Sequence, residues 1–173
     1  MATSESRGTR APVEFELKVL AVPECDSAVA LAIAAYEELC VFKGGDEIAL
    51  AMWTALMSAL GSGSSALEDI RSSAGRSVAF EFKDGPAVIG LGVLKLGPVA
   101  RTEEAEAFIY LRADQRGRGA GSALLRMLDA WARSQGASGV FFRVPPGSRE
   151  GKNLGERNGY RARSLKMRRA EPS

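Results

Sequence analysis

The residues best suited to chemistry lie together at Arg116-Gly117-Arg118-Gly119-Ala120-Gly121. Three glycines in five residues permit backbone angles closed to other residues, so that successive N–H groups can converge on one point. A helix starting here would add roughly half a positive charge from its N-terminus. The combination is an anion cradle. Just upstream, Glu103, Glu104 and Glu106 offer carboxylates able to take a proton, with Glu81 a poorer candidate. The chain has no histidine and two scattered cysteines, so no metal site is expected. Any general base must be a carboxylate, a tyrosine, a thiol or a water chain.

These residues need elements to aim them. The apolar run Ala107-Phe108-Ile109-Tyr110-Leu111 ends an expected strand over residues 102–112, in which alternation puts Glu104 and Glu106 on the face of Tyr110. A helix over 117–135 follows, with Leu124, Met127, Leu128 and Trp131 as its buried stripe and Gly136 as its stop. Further upstream a half-exposed strand is expected at 13–21. A helix at 27–40 then carries Val29, Ile33, Tyr36 and Cys40 on its apolar face. Asp46 is the expected N-cap of a helix at 47–60, where Met52, Trp53 and Met57 either pack in the core, the favoured reading, or line an acceptor pocket. Ser65 opens a short helix ending near Gly75.

Residues 77–83 and 87–96 alternate as strands joined at Asp84-Gly85-Pro86, and Gly90 and Gly92 predict a bulge or a close backbone approach. Residues 139–144 form an apolar run of the kind buried on both faces. Ser148 caps a final helix to about residue 157, and 160–169 reads as a last basic strand. The fold class is therefore α/β (α+β): a single mixed, mostly antiparallel sheet with helices on both faces.

Composition narrows the classes further. With 173 residues, 46% hydrophobic and 25% charged, the chain can bury a sizeable core in one domain without disulfides or metals. That domain is expected over 13–173, after a polar, disordered tail at 1–12 that lacks the apolar segment of a secretory signal. No apolar run reaches the length of a membrane span. A net charge of +2 is too small to make nucleic acid the main partner, and Arg161, Arg163, Lys166, Arg168 and Arg169 read as the protective charge of an edge strand. Cys25 and Cys40 stand at opposite ends of the first expected helix, too far apart to bridge, and are expected to be reduced, buried thiols of a cytoplasmic protein.

The cradle is not a Walker loop, because Gly121 is followed by Ser122-Ala123 rather than a lysine and a hydroxyl residue. A dinucleotide fingerprint fits poorly: its third glycine is displaced by one, and Phe142-Arg143-Val144 lacks the expected acid. Arg116-x-x-Gly119-x-Gly121 instead resembles the Arg/Gln-x-x-Gly-x-Gly/Ala motif of the GNAT superfamily of acyl-CoA-dependent N-acetyltransferases. Ile109-Tyr110-Leu111 before it, Ser122-Ala123-Leu124-Leu125 after it and Leu154-Gly155-Glu156-Arg157-Asn158-Gly159-Tyr160 near the end resemble the family's flanks. The resemblance spans about residues 77–169.

It implies acetyl transfer from acetyl-CoA to a primary amine, by direct attack in a ternary complex. The acceptor would be a small molecule or a peptide; homodimers are frequent in the family, and the sequence leaves the oligomeric state open. The backbone N–H groups of Arg116, Gly117, Arg118, Gly119, Ala120, Gly121 and Ser122 would hold the pyrophosphate. Tyr110 and Leu111 would lie along the pantetheine arm, in a splay facing residues 140–144. A strand bulge would accompany a main-chain N–H near Leu111 that polarises the thioester. Arg112, Arg116 and Arg118 would attract the phosphates or simply line a solvated turn. Glu106, then Glu104, would be the base, against an acidic solvent-facing strand end as the alternative. The family's usual tyrosine acid corresponds here to Gly155, which leaves a catalytically silent acyl-CoA-binding module as the rival function. Tyr160 is expected to be a core aromatic instead.

Overall fold

A computed structural model of the chain describes residues 14–20, 26–61, 76–97 and 103–163. The expected tail at 1–12, the helix at 65–75, Cys25 and the segment beyond 163 lie outside these residues. Strands β1 (Phe15–Val19), β2 (Arg76–Asp84), β3 (Ala87–Leu96), β4 (Ala105–Leu111) and β5 (Val140–Phe142) form one sheet in the order β1-β2-β3-β4-β5. Every pairing is antiparallel except β4 with β5, which is parallel. Helices α1 (Asp26–Cys40) and α2 (Gly45–Gly61) cover one face, and α3 (Ala120–Ser134) covers the other, joined by α4 (Arg149–Arg157). The mixed sheet with helices on both faces is thus as the sequence reading has it.

Each face has its own core. Phe80, Phe82 and Leu94 meet Leu124, Leu125 and Leu128 of α3. Ala79, Leu91, Val93 and Phe108 meet Ala28, Ala32, Met52 and Leu56. On β3, Gly92 lies tight against α3: a Cβ there would stand 3.0 Å from Leu128 Cδ2. At Gly90 a Cβ would meet Tyr110 O at 2.6 Å, so β3 and β4 approach closely because that glycine has no side chain. The ladder of β2 and β3 skips Ile89 between the pairs Phe82/Gly90 and Lys83/Val88. This bulge turns Ile89 into the α3-side core.

Several expectations change. The expected stripe of α1 is not its buried face: Ala28, Ala32 and Ala35 are buried, while Ile33, Tyr36 and Cys40 are exposed. Small residues let α1 lie close to the sheet and α2, and the bulkier side chains turn outward. On α2, Met52 is core, Trp53 is partly buried and Met57 is exposed. Asp46 lies in the first turn of α2 rather than capping it. β5 spans only Val140–Phe142, and Phe141 is exposed, so the apolar run is not buried on both faces. Tyr160 and residues 161–163 are not a strand. α3 starts at Ala120, because Gly117 and Gly119 take left-handed φ of 80° and 87°.

Candidate functional site

The site is a fork in the sheet. β4 and β5 pair only at Ala105/Val140, Glu106/Phe141 and Ala107/Phe142. Ala105 N–H donates to Gly139 O at 2.8 Å, so the odd-numbered residues of β4 turn their backbone groups toward β5. Past Ala107 no strand among the described residues stands opposite them. On the other side of β4, Arg112 N–H donates to Ile89 O at 3.0 Å. That bond makes Leu111/Gly90 a non-hydrogen-bonded pair and turns the N–H and C=O of Leu111 away from β3. Leu111 therefore presents its N–H to the opening. The register of β3 with β4 is unbroken from Gly90/Leu111 to Lys95/Glu106, so the bulge expected beside Leu111 is absent and the irregularity sits at Ile89 instead. A cavity of about 390 Å³ fills the fork, walled by Tyr110 and Leu111 on one side and by Phe142 and Arg143 on the other.

The glycine loop lies at one end of this cavity. Gly119 precedes α3 and leaves its N-terminus without a side-chain cap, so the first-turn N–H groups of Ala120, Gly121 and Ser122 have no partner within the helix. At Gly121 a Cβ would approach Leu154 Cδ1 to 3.2 Å and Leu111 Cδ1 to 3.4 Å. A larger residue would press on these two side chains beside the cradle. Ser122 Oγ accepts from Asn158 Nδ2 at 2.9 Å, and Asn158 also donates to Leu154 O at 2.8 Å. That hydroxyl ties α3 to the end of α4.

The arginine side chains are engaged elsewhere. Arg112 pairs with Asp114 at 3.0 Å, and Arg118 with Asp84 at 2.7 Å and with Gln115. Arg116 turns inward. Its Nε and Nη2 donate to Leu111 O at 3.1 and 2.9 Å, while Nη1 and Nη2 form a fork onto the Glu38 carboxylate at 2.7 and 2.6 Å. Glu150 of α4 lies 3.3 Å away, and the Tyr110 ring centroid 5.6 Å. The side chain thus fixes the carbonyl of the residue whose N–H faces the fork. The hydrogen bond to Glu38 holds the guanidinium above its ordinary pKa. Burial, reinforced by Glu38 and opposed by Arg116, pushes the Tyr110 hydroxyl upward. Sequence reasoning missed Glu38, which is 78 residues from Arg116 and shares no motif with it.

The candidate bases separate. Glu104 is exposed ahead of β4, whereas Glu106 is 7% exposed. Arg143 Nε forms an ion pair with Glu106 Oε1 at 2.6 Å, and this buried oxygen has no further donor among the described residues. Glu106 does not itself line the cavity; Arg143 does. Glu81, also buried, accepts from Ser27 Oγ and pairs with Lys83 at 3.5 Å, away from the fork. At Gly155 a Cβ would stand 3.2 Å from Phe142 Cζ and 3.6 Å from Tyr160 Cβ. The Phe142 and Tyr160 rings meet edge-on at 5.2 Å, and burial raises the Tyr160 pKa. The place of a tyrosine on α4 is therefore crowded by two partly buried aromatics, so Tyr160 packs against the core rather than within it.

A forked mixed sheet with a glycine loop leading into a helix defines an acyltransferase-type fold. The family model for GNAT acetyltransferases matches residues 48–160, and the chain belongs to that family. No curated protein matches it in sequence. A candidate acetyltransferase from Bacillus subtilis is 19% identical, with a TM-score of 0.63 over 92% of this chain and 100% of that one. The ribosomal-protein-alanine N-acetyltransferase of Brucella melitensis biovar Abortus 2308 is 17% identical, with a TM-score of 0.60 over 91% and 99%. AAC(6')-Iy, solved with the bisubstrate analogue CoA-S-monomethyl-acetylneamine, is 10% identical, with a TM-score of 0.59 over 92% and 99%. At these identities the likeness is one of fold.

Proposed function

We propose that the protein transfers an acetyl, or another short acyl, group from CoA to a primary amine by direct attack in a ternary complex. The observation that carries this reading is the fork, which places the Leu111 N–H beside a cavity ending at an uncapped helix N-terminus. The N–H groups of Gly117, Arg118, Gly119, Ala120, Gly121 and Ser122 would supply the donors for a diphosphate, with the glycine positions leaving room for it, whereas the Arg116 N–H donates to Ala113 O at 3.3 Å and drops out of the expected set. When bound, acetyl-CoA supplies an activated acyl group on a thiolate leaving group.

The chain's own residues do the rest. Arg116 holds the Leu111 carbonyl so that the Leu111 N–H stays aimed into the fork, where it can stabilise negative charge developing on a carbonyl oxygen. Glu106 is the proposed acceptor of the amine's proton, directly or through water, with Glu104 the second candidate. As the amine nitrogen bonds to the acyl carbon, the carbon–sulfur bond breaks, and water protonates the thiolate, since Gly155 offers no acid. Tyr110 stays neutral and lines the cavity.

Gly155 also favours a second reading: a catalytically silent acyl-CoA-binding sensor or partner module. Calorimetry with CoA followed by a thiol-release assay over a panel of primary amines separates the two. Binding with turnover supports the enzyme, binding without turnover on any amine supports the silent module, and no binding overturns both.

A further inference from the structure

Beyond the glycine loop and the Arg116 cluster the cavity lining carries Arg143 and Arg157, and Arg143 is the one that reaches a candidate base, with Nε 2.6 Å from Glu106 Oε1. From this placement we infer that Arg143 receives a carboxylate of the acceptor, so that the amine substrate is a zwitterion of the amino-acid type. The inference rests on the acyl-transfer reading above and names the substrate class of that same site.

Charge balance in the cavity is the first argument. Its described lining carries the carboxylates Glu38 and Glu150 and the cations Arg116, Arg143 and Arg157. Both carboxylates are held by Arg116. Glu106, paired with Arg143, brings the charges around the cavity to balance, so its wall carries no surplus, but a polycationic acceptor would find no uncommitted carboxylate on the described wall. It would meet the exposed guanidinium of Arg143 at close range, where like charges repel.

The position of Arg143 is the second argument. It reaches Glu106, which shares a face of β4 with Phe108, in the core beneath α1 and α2. The cradle at the start of α3 serves the opposite face of the sheet. Arg143 is therefore poorly placed for a diphosphate there and well placed for the acceptor.

Third, the pair leaves Arg143 accessible. Arg143 Nε is ion-paired with Glu106 Oε1 at 2.6 Å, yet its side chain is 45% exposed and lines the cavity. Five N–H donors on a planar fork match a carboxylate in two parallel bonds. An ammonium approaching Glu106 alone would meet this guanidinium. An acceptor with a carboxylate beside its amine would engage Arg143, draw it from Glu106 and leave Glu106 able to take the proton.

The test uses the full chain, acetyl-CoA and matched pairs of acceptors: each common amino acid and its α-carboxamide. The carboxamide has the less basic amine and is more often uncharged at neutral pH, so preference for the acid reports on the site. The expected result is a kcat/KM for at least one acid about tenfold or more above that of its amide, with the ratio falling to about 1 in Arg143→Gln and partly restored in Arg143→Lys. The CoA Kd, measured separately, should stay within about twofold. Amides equal to or better than acids, an Arg143→Gln variant that keeps the ratio, or CoA binding with no turnover on any pair overturns the inference. Turnover of amides alone would leave the acyl-transfer reading standing, whereas loss of CoA binding in the unmodified chain would remove that reading itself.

Discussion

The two sides of the fork are made differently. On the loop side, from the end of β4 to the start of α3, the groups aimed at the cavity are backbone N–H donors and the side chains withdraw: Arg112, Arg116 and Arg118 all pair with neighbouring carboxylates. On the β5 side the group is a side chain, Arg143, which lines the cavity and is ion-paired with Glu106 of β4. A backbone-built surface depends on glycine positions and helix geometry, which one short motif encodes. A side-chain surface depends on residues gathered from separate segments, and it is where relatives of one fold can diverge in acceptor.

The largest expected effect breaks the loop side. Gly119→Glu puts a side chain on a left-handed residue, φ 87°, at the helix N-terminus. A carboxylate there would occupy the anion position, so CoA affinity should fall at least about a hundredfold, about 2.7 kcal/mol, by calorimetry. A circular-dichroism spectrum like that of the unmodified chain would show that the fold survives. Unchanged affinity would contradict the cradle.

Next, Arg116→Gln removes the grip on Leu111 O and the fork onto Glu38. Turnover should fall by about tenfold while the CoA Kd moves less than about threefold, because the diphosphate donors are backbone groups. Arg116→Lys should not rescue it, since a single ammonium cannot reproduce bonds to both partners. An equal loss in affinity and turnover would instead place the Arg116 side chain on the phosphates.

Glu106→Gln acts on the other side. A drop in kcat of about tenfold with unchanged CoA affinity is expected. An unchanged kcat would remove Glu106 as base. The smallest effect is expected at Tyr110→Phe. Because the hydroxyl titrates above its ordinary value, it stays protonated through the neutral range, so the profile between pH 6 and 9 should keep its shape, within about a factor of two in rate. A lost limb there would make Tyr110 a titrating participant.

How legible the molecule was follows the same division. Strand, loop and helix around Gly119 follow from glycine spacing and apolar periodicity, and the crowding at Gly90 and Gly92 follows from glycines inside a strand. The buried face of α1 did not, because Ala28, Ala32 and Ala35 fill the close contact while Ile33 and Tyr36 stay outside. Hydrophobic size misled the reading there, since a tightly packed helix selects small residues. The inward turn of Arg116 was equally hidden, as it depends on Glu38 arriving from α1. Gly155 was visible as a departure, but only the Phe142 ring 3.2 Å from its virtual Cβ explains what occupies that space.

The most direct test of the account is a crystal structure of the chain with CoA. The account predicts a diphosphate within hydrogen-bonding distance of the Gly119, Ala120, Gly121 and Ser122 N–H groups, with the sulfur in the fork between Leu111 and Phe142. A diphosphate held by the arginine side chains away from the α3 N-terminus, or a pantetheine arm outside the fork, would contradict it.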